Sequence, residues 1–332
     1  MTFEAINKEL DEKKYSPIYF LMGEEPYFID QLVHRLENEV LDEAEKGFNQ
    51  SVLYGKDVKA EDVISEAKRF PMMSEKQVVV VKEAQHIRNI EDLKSYADQP
   101  QPSTVLVIAY KYKKLDKRKA LSKSLAKNHV LFESKKLYDN QVADWVSKII
   151  RNAGYKISPK AVALLLEFVG SDLGRMQQEI DKLMLVVEKG GEISADVIER
   201  NIGISKDYNN FELQKALAEG DVVKANKIAH YFAQNPKDNP LVVTISLVFS
   251  YFTKVIQVHT HAGMSPNELA GVLRVNPYFV KDYTAASRRY NLNKCLRIIG
   301  YLREADGRSK GLGGGDISHE DILRELLFKI LH

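Results

Sequence analysis

A short apolar strand, a glycine and an amphipathic helix follow one another near the start of the chain, in the arrangement that carries a phosphate-binding loop. Such a loop reads G-x4-G-K-[ST], because its glycines let backbone amides approach the phosphates, its Lys neutralises them and its hydroxyl holds magnesium. Counted from Gly23, the last three positions of that pattern are Phe28, Ile29 and Asp30. Phe28 blocks the close approach, Ile29 carries no charge and Asp30 repels phosphate. The sequence therefore predicts a degenerate P-loop, which keeps the architecture of a nucleotide-binding turn without its chemistry.

Basic side chains are concentrated between Lys111 and Lys127, where eight basic residues stand against one acid, Asp116. A patch of this kind can follow a phosphate backbone by releasing counterions, without reading the bases. The alternative is a solvated helix face whose charges balance acids elsewhere. Under the first interpretation, the residues expected to contact a DNA backbone are Lys111, Lys113, Lys114, Lys117, Arg118 and Lys119.

Two adjacent methionines, Met72 and Met73, follow Phe70 and Pro71 in the segment before an apolar strand. Methionine side chains suit adaptable hydrophobic contacts, both inside a protein and on a binding surface. On spacing alone, the ordinary interpretation places both methionines in the core. The alternative is an exposed hydrophobic knob at the end of a helix.

The other residue types that could do chemistry form no catalytic or metal-binding pattern. His259 and His261 are two residues apart on a predicted helix, so they point to different faces. The single Cys295 excludes a disulfide framework and a cysteine-based zinc site. The glycine-rich stretch 311–315 follows a helix rather than a strand, which disfavours phosphate binding there. We therefore expect no catalytic residue, no metal and no cofactor.

Composition indicates a globular protein with ample core material, because 44% of the 332 residues are hydrophobic and 28% are charged. The apolar runs at 78–81 and 105–109 have the length of strands, and no stretch of 18 uncharged apolar residues occurs, so we expect no membrane span. The N-terminus has no signal-peptide or transit-peptide character, and a reducing cytoplasm is the expected compartment. The net charge is only +2, so any basic surface must be local.

Three blocks are expected along the chain. The first, 1–138, alternates strands and helices, and its uninterrupted β-branched runs indicate strands buried on both faces of a parallel sheet. After residue 138 the strands stop. A small all-helical block is expected over 139–207, and Ser158-Pro159 marks the start of one of its helices. A second helical block follows over 208–332. The fold class is therefore α/β plus all-α.

These features together resemble one family, the delta subunit of the bacterial DNA polymerase III clamp loader. Five phrases carry the resemblance, in the family's order: Tyr19 to Ile29, Phe70 to Lys76, Lys114 to Arg118, Gly170 to Leu183, and Glu304 to Gly311. The first is similar to the family's degenerate P-loop and the second to its clamp-binding element. Within that element Met72 and Met73 stand at the anchor positions, often Leu or Phe, and Lys76 stands where Arg is commoner.

The resemblance implies an AAA+-like domain over 1–138, a helical lid over 139–207 and a helical collar for oligomerisation over 208–332. It implies a non-catalytic subunit that binds the sliding clamp through Phe70, Pro71, Met72 and Met73 and opens it for loading onto primed DNA. The implied partners are the clamp, the clamp-loader ATPase subunits and a delta-prime subunit. Two alternatives remain on the residues alone: an active P-loop ATPase of a related assembly, and a stand-alone nucleic-acid-binding protein.

Overall fold

The computed structural model describes residues 1–202, 205, 207–312 and 317–332 of the protein. The chain divides into two compact units, Met1–Leu137 and Tyr138–His332. The glycine-rich stretch expected at 311–315 lies outside the described residues from Gly313 onward, and Lys206, beside the expected boundary at 207, lies outside them as well. The division of the helical part into 139–207 and 208–332 therefore stays a prediction.

The first unit alternates strands with helices, and 3-10 turns at Ala84–His86 and Ile90–Leu93 precede its fifth helix. Its elements in chain order are α1 (Phe3–Asp11), β1 (Ile18–Gly23), α2 (Pro26–Glu39), α3 (Glu43–Asn49), β2 (Gln50–Tyr54), α4 (Ala60–Ala67), β3 (Gln77–Lys82), α5 (Lys94–Asp98), β4 (Thr104–Lys111), α6 (Ala120–Asn128) and β5 (Val130–Ser134).

All five strands are parallel and lie in the order β2-β3-β4-β1-β5. The three central strands are the uninterrupted apolar runs, because helices cover the sheet on both faces and both sets of side chains are buried. Successive residues of β1 enter different cores: Phe20 and Met22 pack on one face, Tyr19 and Leu21 on the other. The parallel α/β domain expected from the sequence is confirmed, and the edge strand β2 was not expected.

The second unit is mainly helical. Its helices are α7 (Asp139–Asn152), α8 (Pro159–Val169), α9 (Leu173–Val186), α10 (Ala195–Ile202), α11 (Asn210–Glu219), α12 (Val222–Gln234), α13 (Leu241–Thr260), α14 (Pro266–Leu273), α15 (Val280–Arg289), α16 (Leu292–Ser309) and α17 (His319–Leu331). A 3-10 turn, Pro277–Phe279, precedes α15. The expectation that strands stop after residue 138 was wrong, because β6 (Lys156–Ile157) and β7 (Glu192–Ile193) pair in parallel. Two-residue strands carry no periodicity from which a sequence pattern can identify them.

Helix α13 is long and apolar enough to cross a membrane, by length and composition only. The expectation that the chain has no membrane span stays a prediction, because a helix packed in a protein core meets the same criteria of length and composition. The buried residues of α13 recur every three or four positions, which places one face of the helix in the core of the second unit. Such a pattern is typical of the central helix of a bundle.

A half-buried carboxylate, Glu167, and a buried one, Glu212, join α8 to the helices that follow it. The Glu167 carboxylate accepts the backbone amides of Asn210 and Phe211, at 2.6 and 3.1 Å, and so caps the start of α11. Burial raises the pKa of Glu167, although these two amides partly offset it. Glu212, whose side chain is 4% exposed, pairs with Lys160 at 2.7 Å and also with Lys224. Burial alone would raise the pKa of Glu212, but the two lysines outweigh it and lower that pKa.

Candidate functional site: a filled nucleotide turn and an exposed methionine knob

The turn between β1 and α2 lies where a nucleotide-binding loop would lie, and the neighbouring strand β5 packs directly against it. Gly23 has φ +134°, and a Cβ there would lie 2.0 Å from the carbonyl oxygen of Ser134, at the end of β5. Only glycine fits at this position. The glycine that the sequence singled out is therefore required by strand packing rather than by a ligand.

The groups that would bind a phosphate in this turn already have partners within the chain. The Gly23 amide donates to the Lys113 carbonyl at 3.1 Å, and the Glu24 amide donates to the Ser134 carbonyl at 2.9 Å. At the start of α2, the carboxylate of Glu25 accepts the amide of Tyr27 at 3.1 Å. The N-terminus of a helix is a natural anion site, and here a carboxylate that is only 6% exposed occupies it.

The side chains at the last three positions of the P-loop pattern are used in contacts within the protein, and none can bind a phosphate. Phe28 packs against Phe3 of α1, with ring centroids 4.9 Å apart. Ile29, at the position of the P-loop lysine, is fully buried in the core. Asp30 binds Lys111 through an ion pair of 2.5 Å. The turn thus has a phenylalanine, a buried isoleucine and a paired carboxylate where phosphate binding needs glycine, lysine and a hydroxyl.

Lys111 is the last residue of β4, and residues 112–119 form the loop between β4 and α6 rather than a helix face. This loop lies beside the turn, because Gly23 and Lys111 are register partners at the carboxyl ends of adjacent strands. Its charges meet acids: Lys114 pairs with Glu24 at 3.0 Å and with Glu133 at 3.2 Å. The remaining contacts of the candidate DNA residues are Lys117 with Glu133 at 3.3 Å, Arg118 with Asp116 at 2.7 Å, Lys119 with Glu91 at 3.5 Å, and Lys113 with the Gln85 carbonyl at 3.2 Å.

These cations differ in their exposure to solvent. The side chains of Lys111 and Lys114 are 24% and 37% exposed, whereas those of Lys117 and Arg118 are 78% and 90% exposed. The hydrogen bond to Glu24, followed by that to Glu133, raises the pKa of Lys114. The structure therefore separates two structural lysines, which neutralise the acids of the turn, from two outward cations.

The methionine segment and the turn lie at opposite ends of the strands of this sheet. The segment precedes β3, the turn follows β1, and all five strands are parallel. Phe70 is 77% exposed, Met72 is 56% exposed and Met73 is fully exposed. Pro71 is half-buried between them. The interpretation of the two methionines as core residues was wrong, and the structure presents an apolar knob. What the knob binds stays a prediction.

Two buried polar residues that the sequence reasoning missed hold the base of this knob. Asn49, at the end of α3, bonds to the backbone of Met72 on both its amide and its carbonyl. Gln77, the first residue of β3, donates to the carbonyl oxygens of Ala67 and Arg69 at 3.3 and 2.6 Å, which fixes the end of α4. A polar residue directly before a run of valines was the available signal for Gln77, whereas nothing local marks Asn49.

Within the described ranges, with their gaps at 203–204, 206 and 313–316, no group of three or more His, Cys, Asp or Glu side chains is arranged to hold a metal ion. Cys295 is buried, which raises the pKa of its thiol to about 11 and keeps it protonated near neutral pH.

Comparison with known proteins shows which family this architecture resembles. A family model described as DNA polymerase III, delta subunit, matches residues 19–135, and one described as the C-terminal domain of that subunit matches residues 207–327. DNA polymerase III subunit delta of Bacillus subtilis is 28% identical over 315 residues, which are 91% of this chain and 90% of that protein. A probable DNA polymerase III subunit delta of Aquifex aeolicus is 24% identical over 224 residues, which are 64% of this chain and 62% of that protein.

A solved structure gives the same picture. The Bacillus subtilis DNA clamp loader delta protein matches with a TM-score of 0.56 and 25% identity over 99% of both chains. Fold and turn together define a clamp-loader-like protein, with a parallel α/β sheet, a turn after β1 that lacks the P-loop residues, and a following helical unit. The chain belongs to the family of DNA polymerase III delta subunits, which are part of the DNA polymerase III complex and take part in DNA replication.

Proposed function

We propose that this chain is the non-catalytic clamp-loader subunit that binds the sliding clamp and opens it for loading onto primed DNA, with Met72 and Met73 as the anchors. The observation that carries the proposal is that Met72 is 56% exposed and Met73 fully exposed, on a segment whose backbone is held by buried polar residues. Small interfaces concentrate their energy in a few apolar side chains that enter a pocket of the partner. Phe70 and Pro71 flank these anchors and complete the contact.

Binding of this chain opens the clamp when the chain has a higher affinity for the open clamp conformation than for the closed one. A ligand shifts a conformational equilibrium only by its difference in affinity for the two states. Clamp binding therefore opens the ring to the extent that the methionine knob contacts the opened or strained interface better than the closed one. No chemical step by this chain is needed, and hydrolysis belongs to the partner ATPase subunits.

The direct test replaces both anchors, as Met72→Ala/Met73→Ala, and measures clamp affinity and unfolding on the same protein. Burying a Met side chain is worth about 1.5–3 kcal/mol, so removing both should weaken clamp binding by about 3 kcal/mol or more, which is over a hundredfold. The unfolding midpoint should barely move, because Met73 contacts almost nothing in the free chain. Core methionines would instead cost about 2–5 kcal/mol of stability each.

A matched control is available in the second unit. Leu185 and Val186 are also adjacent apolar residues, 86% and 57% exposed. Their replacement by Ala should leave clamp affinity unchanged. Unchanged affinity in the methionine variant, or an equal loss in the control, would reject the anchor assignment.

We also propose that the chain binds no nucleotide and carries no cofactor. The support is the filled turn, in which Glu25 caps α2 and the Gly23 and Glu24 amides are already used. Titration of the isolated chain with a fluorescent ATP analogue should show no saturable binding. Micromolar binding would instead favour the alternative of an active P-loop ATPase.

The partners of the proposed assembly are the ATPase subunits and a delta-prime subunit. The chain contacts them through the collar over 208–332. The other two domains of the proposal are the AAA+-like domain over 1–138 and the lid over 139–207. The apolar stripe of α17 (Ile322, Leu326 and Ile330) is buried within the helical unit, so subunit contacts must use other faces. Such an assembly works with primed DNA, and the cytoplasm is its compartment. A stand-alone nucleic-acid-binding protein would instead purify without loader subunits.

A further inference from the structure

Asn49 makes an unusual pair of contacts beneath the methionine knob. It is 4% exposed, and its side-chain Oδ1 accepts the backbone amide of Met72 at 2.6 Å while its Nδ2 donates to the Met72 carbonyl at 2.9 Å. Both backbone groups of one anchor residue are thus held by a single side chain that lies 23 positions earlier in the chain.

The segment that carries the anchors has no regular structure of its own. Residues 70–76 lie between α4 and β3 as bends and irregular backbone. Met73 has φ +55°, a left-handed conformation that is uncommon for a residue with a side chain. An irregular segment in such a conformation persists only when its surroundings fix it. On the side of α3, the group that does so is the Asn49 amide.

We propose that Asn49 is a positioning residue for clamp binding, which orders the backbone of Met72 before the partner arrives. This inference rests on the proposed anchor function of Met72 and Met73. A segment that is already ordered loses less conformational entropy on binding, so its affinity is higher for the same contacts. Asn49 itself is buried and contributes through the anchors rather than by touching the clamp.

The chemistry requires an amide side chain. Asparagine offers one donor and one acceptor on the same planar group, which matches the amide and carbonyl of one backbone residue. Aspartate keeps the acceptor but turns the donor into a second oxygen that faces the Met72 carbonyl. Alanine removes both. The variants Asn49→Ala and Asn49→Asp therefore test the same contact by two routes.

The experiment is a double-mutant cycle on the full chain, with clamp affinity and urea unfolding measured for every variant. Asn49→Ala and Asn49→Asp should each weaken clamp binding about tenfold, which is about 1.4 kcal/mol. In the Met72→Ala/Met73→Ala background, the same changes should cause no further loss of affinity, because no anchors remain to be positioned. Their effect on stability should be equal in both backgrounds.

Asn209 supplies a matched control, since it is 1% exposed and its side chain also bonds to backbone on both sides, accepting from Glu212 and donating to Ser205. Asn209→Ala should lower stability and leave clamp affinity unchanged. The positioning role is rejected if Asn49→Asp keeps wild-type affinity. It is also rejected if the Asn49 variants still lose affinity in the Met72→Ala/Met73→Ala background. Should the methionine variant itself bind normally, the anchor assignment fails first, and the two failures are thereby distinguished.

Discussion

The division of the basic loop into structural and outward cations makes a quantitative prediction about DNA. Lys117→Ala/Arg118→Ala should lower the salt dependence of DNA binding, whereas Lys111→Ala/Lys114→Ala should not. The outward side chains are 78% and 90% exposed, and exposed ion pairs are weak enough to exchange a carboxylate for a phosphate. Lys111 and Lys114 neutralise the acids of the turn instead.

The size of the effect follows from counterion release. Each phosphate contact contributes about 0.9 to the slope of log affinity against log salt on duplex DNA. Losing the two outward cations should therefore reduce the slope by about 1.8, equally for every DNA sequence. Between about 50 and 200 mM salt, this corresponds to a roughly tenfold smaller loss of affinity.

The assay measures binding of a fluorescent duplex over that salt range, with the full chain alone and in the assembled loader. An unchanged slope for Lys117→Ala/Arg118→Ala in both preparations would refute the DNA role of the loop. A slope that falls equally for Lys111→Ala/Lys114→Ala would refute the division into two classes. The structural pair should instead lower the urea midpoint, because Glu24 and Asp30 would lose their partners.

Three further predictions concern the scaffold. Gly23→Ala should lower the free energy of unfolding by about 3 kcal/mol or more, measured in urea, because the new Cβ would lie 2.0 Å from a backbone oxygen. Glu212→Gln should cost up to about 3 kcal/mol at neutral pH. Because the folded pKa of Glu212 is lowered, its contribution is present above the ordinary value near 4.5 and is lost as pH falls through the folded value, so wild type and variant should converge in acid. Residues 1–137, which have their own two cores, should keep clamp binding and lose association with loader subunits in a pull-down.

Sequence patterns identified the elements whose burial imposes a clear period. The valine run of β3 and the apolar run of β4 are buried on both faces, and so they contain no polar interruption. The edge strand β2 was missed because one side of it has no partner strand, and its residues vary from half-buried to exposed. A strand leaves a recognisable hydrophobic pattern in the sequence only where its side chains are buried, and few side chains of this edge strand are buried.

The degenerate turn could be recognised from spacing, but the reason for its closure could not. The sequence shows that Phe28, Ile29 and Asp30 lack the chemistry of a P-loop. It does not show that Glu25 fills the anion site, or that Ser134 excludes a Cβ at Gly23, because these contacts join segments that only the fold brings together. The pairing of Asp30 with Lys111 has the same origin, since it depends on the register of adjacent strands.

The methionine knob shows most clearly why local spacing is insufficient. Apolar residues in a connecting segment are equally compatible with a core and with a binding surface, and the choice depends on where the backbone is held. Gln77 fixes the end of α4, and Asn49 holds Met72 by its backbone, so the bonds that order this segment engage no methionine side chain. The side chains are therefore left for a partner, while the irregular loop stays ordered. A segment that is held through its main chain and exposed through its apolar side chains is suited to contact another surface, and this is the physical basis of the proposal that Met72 and Met73 bind the clamp.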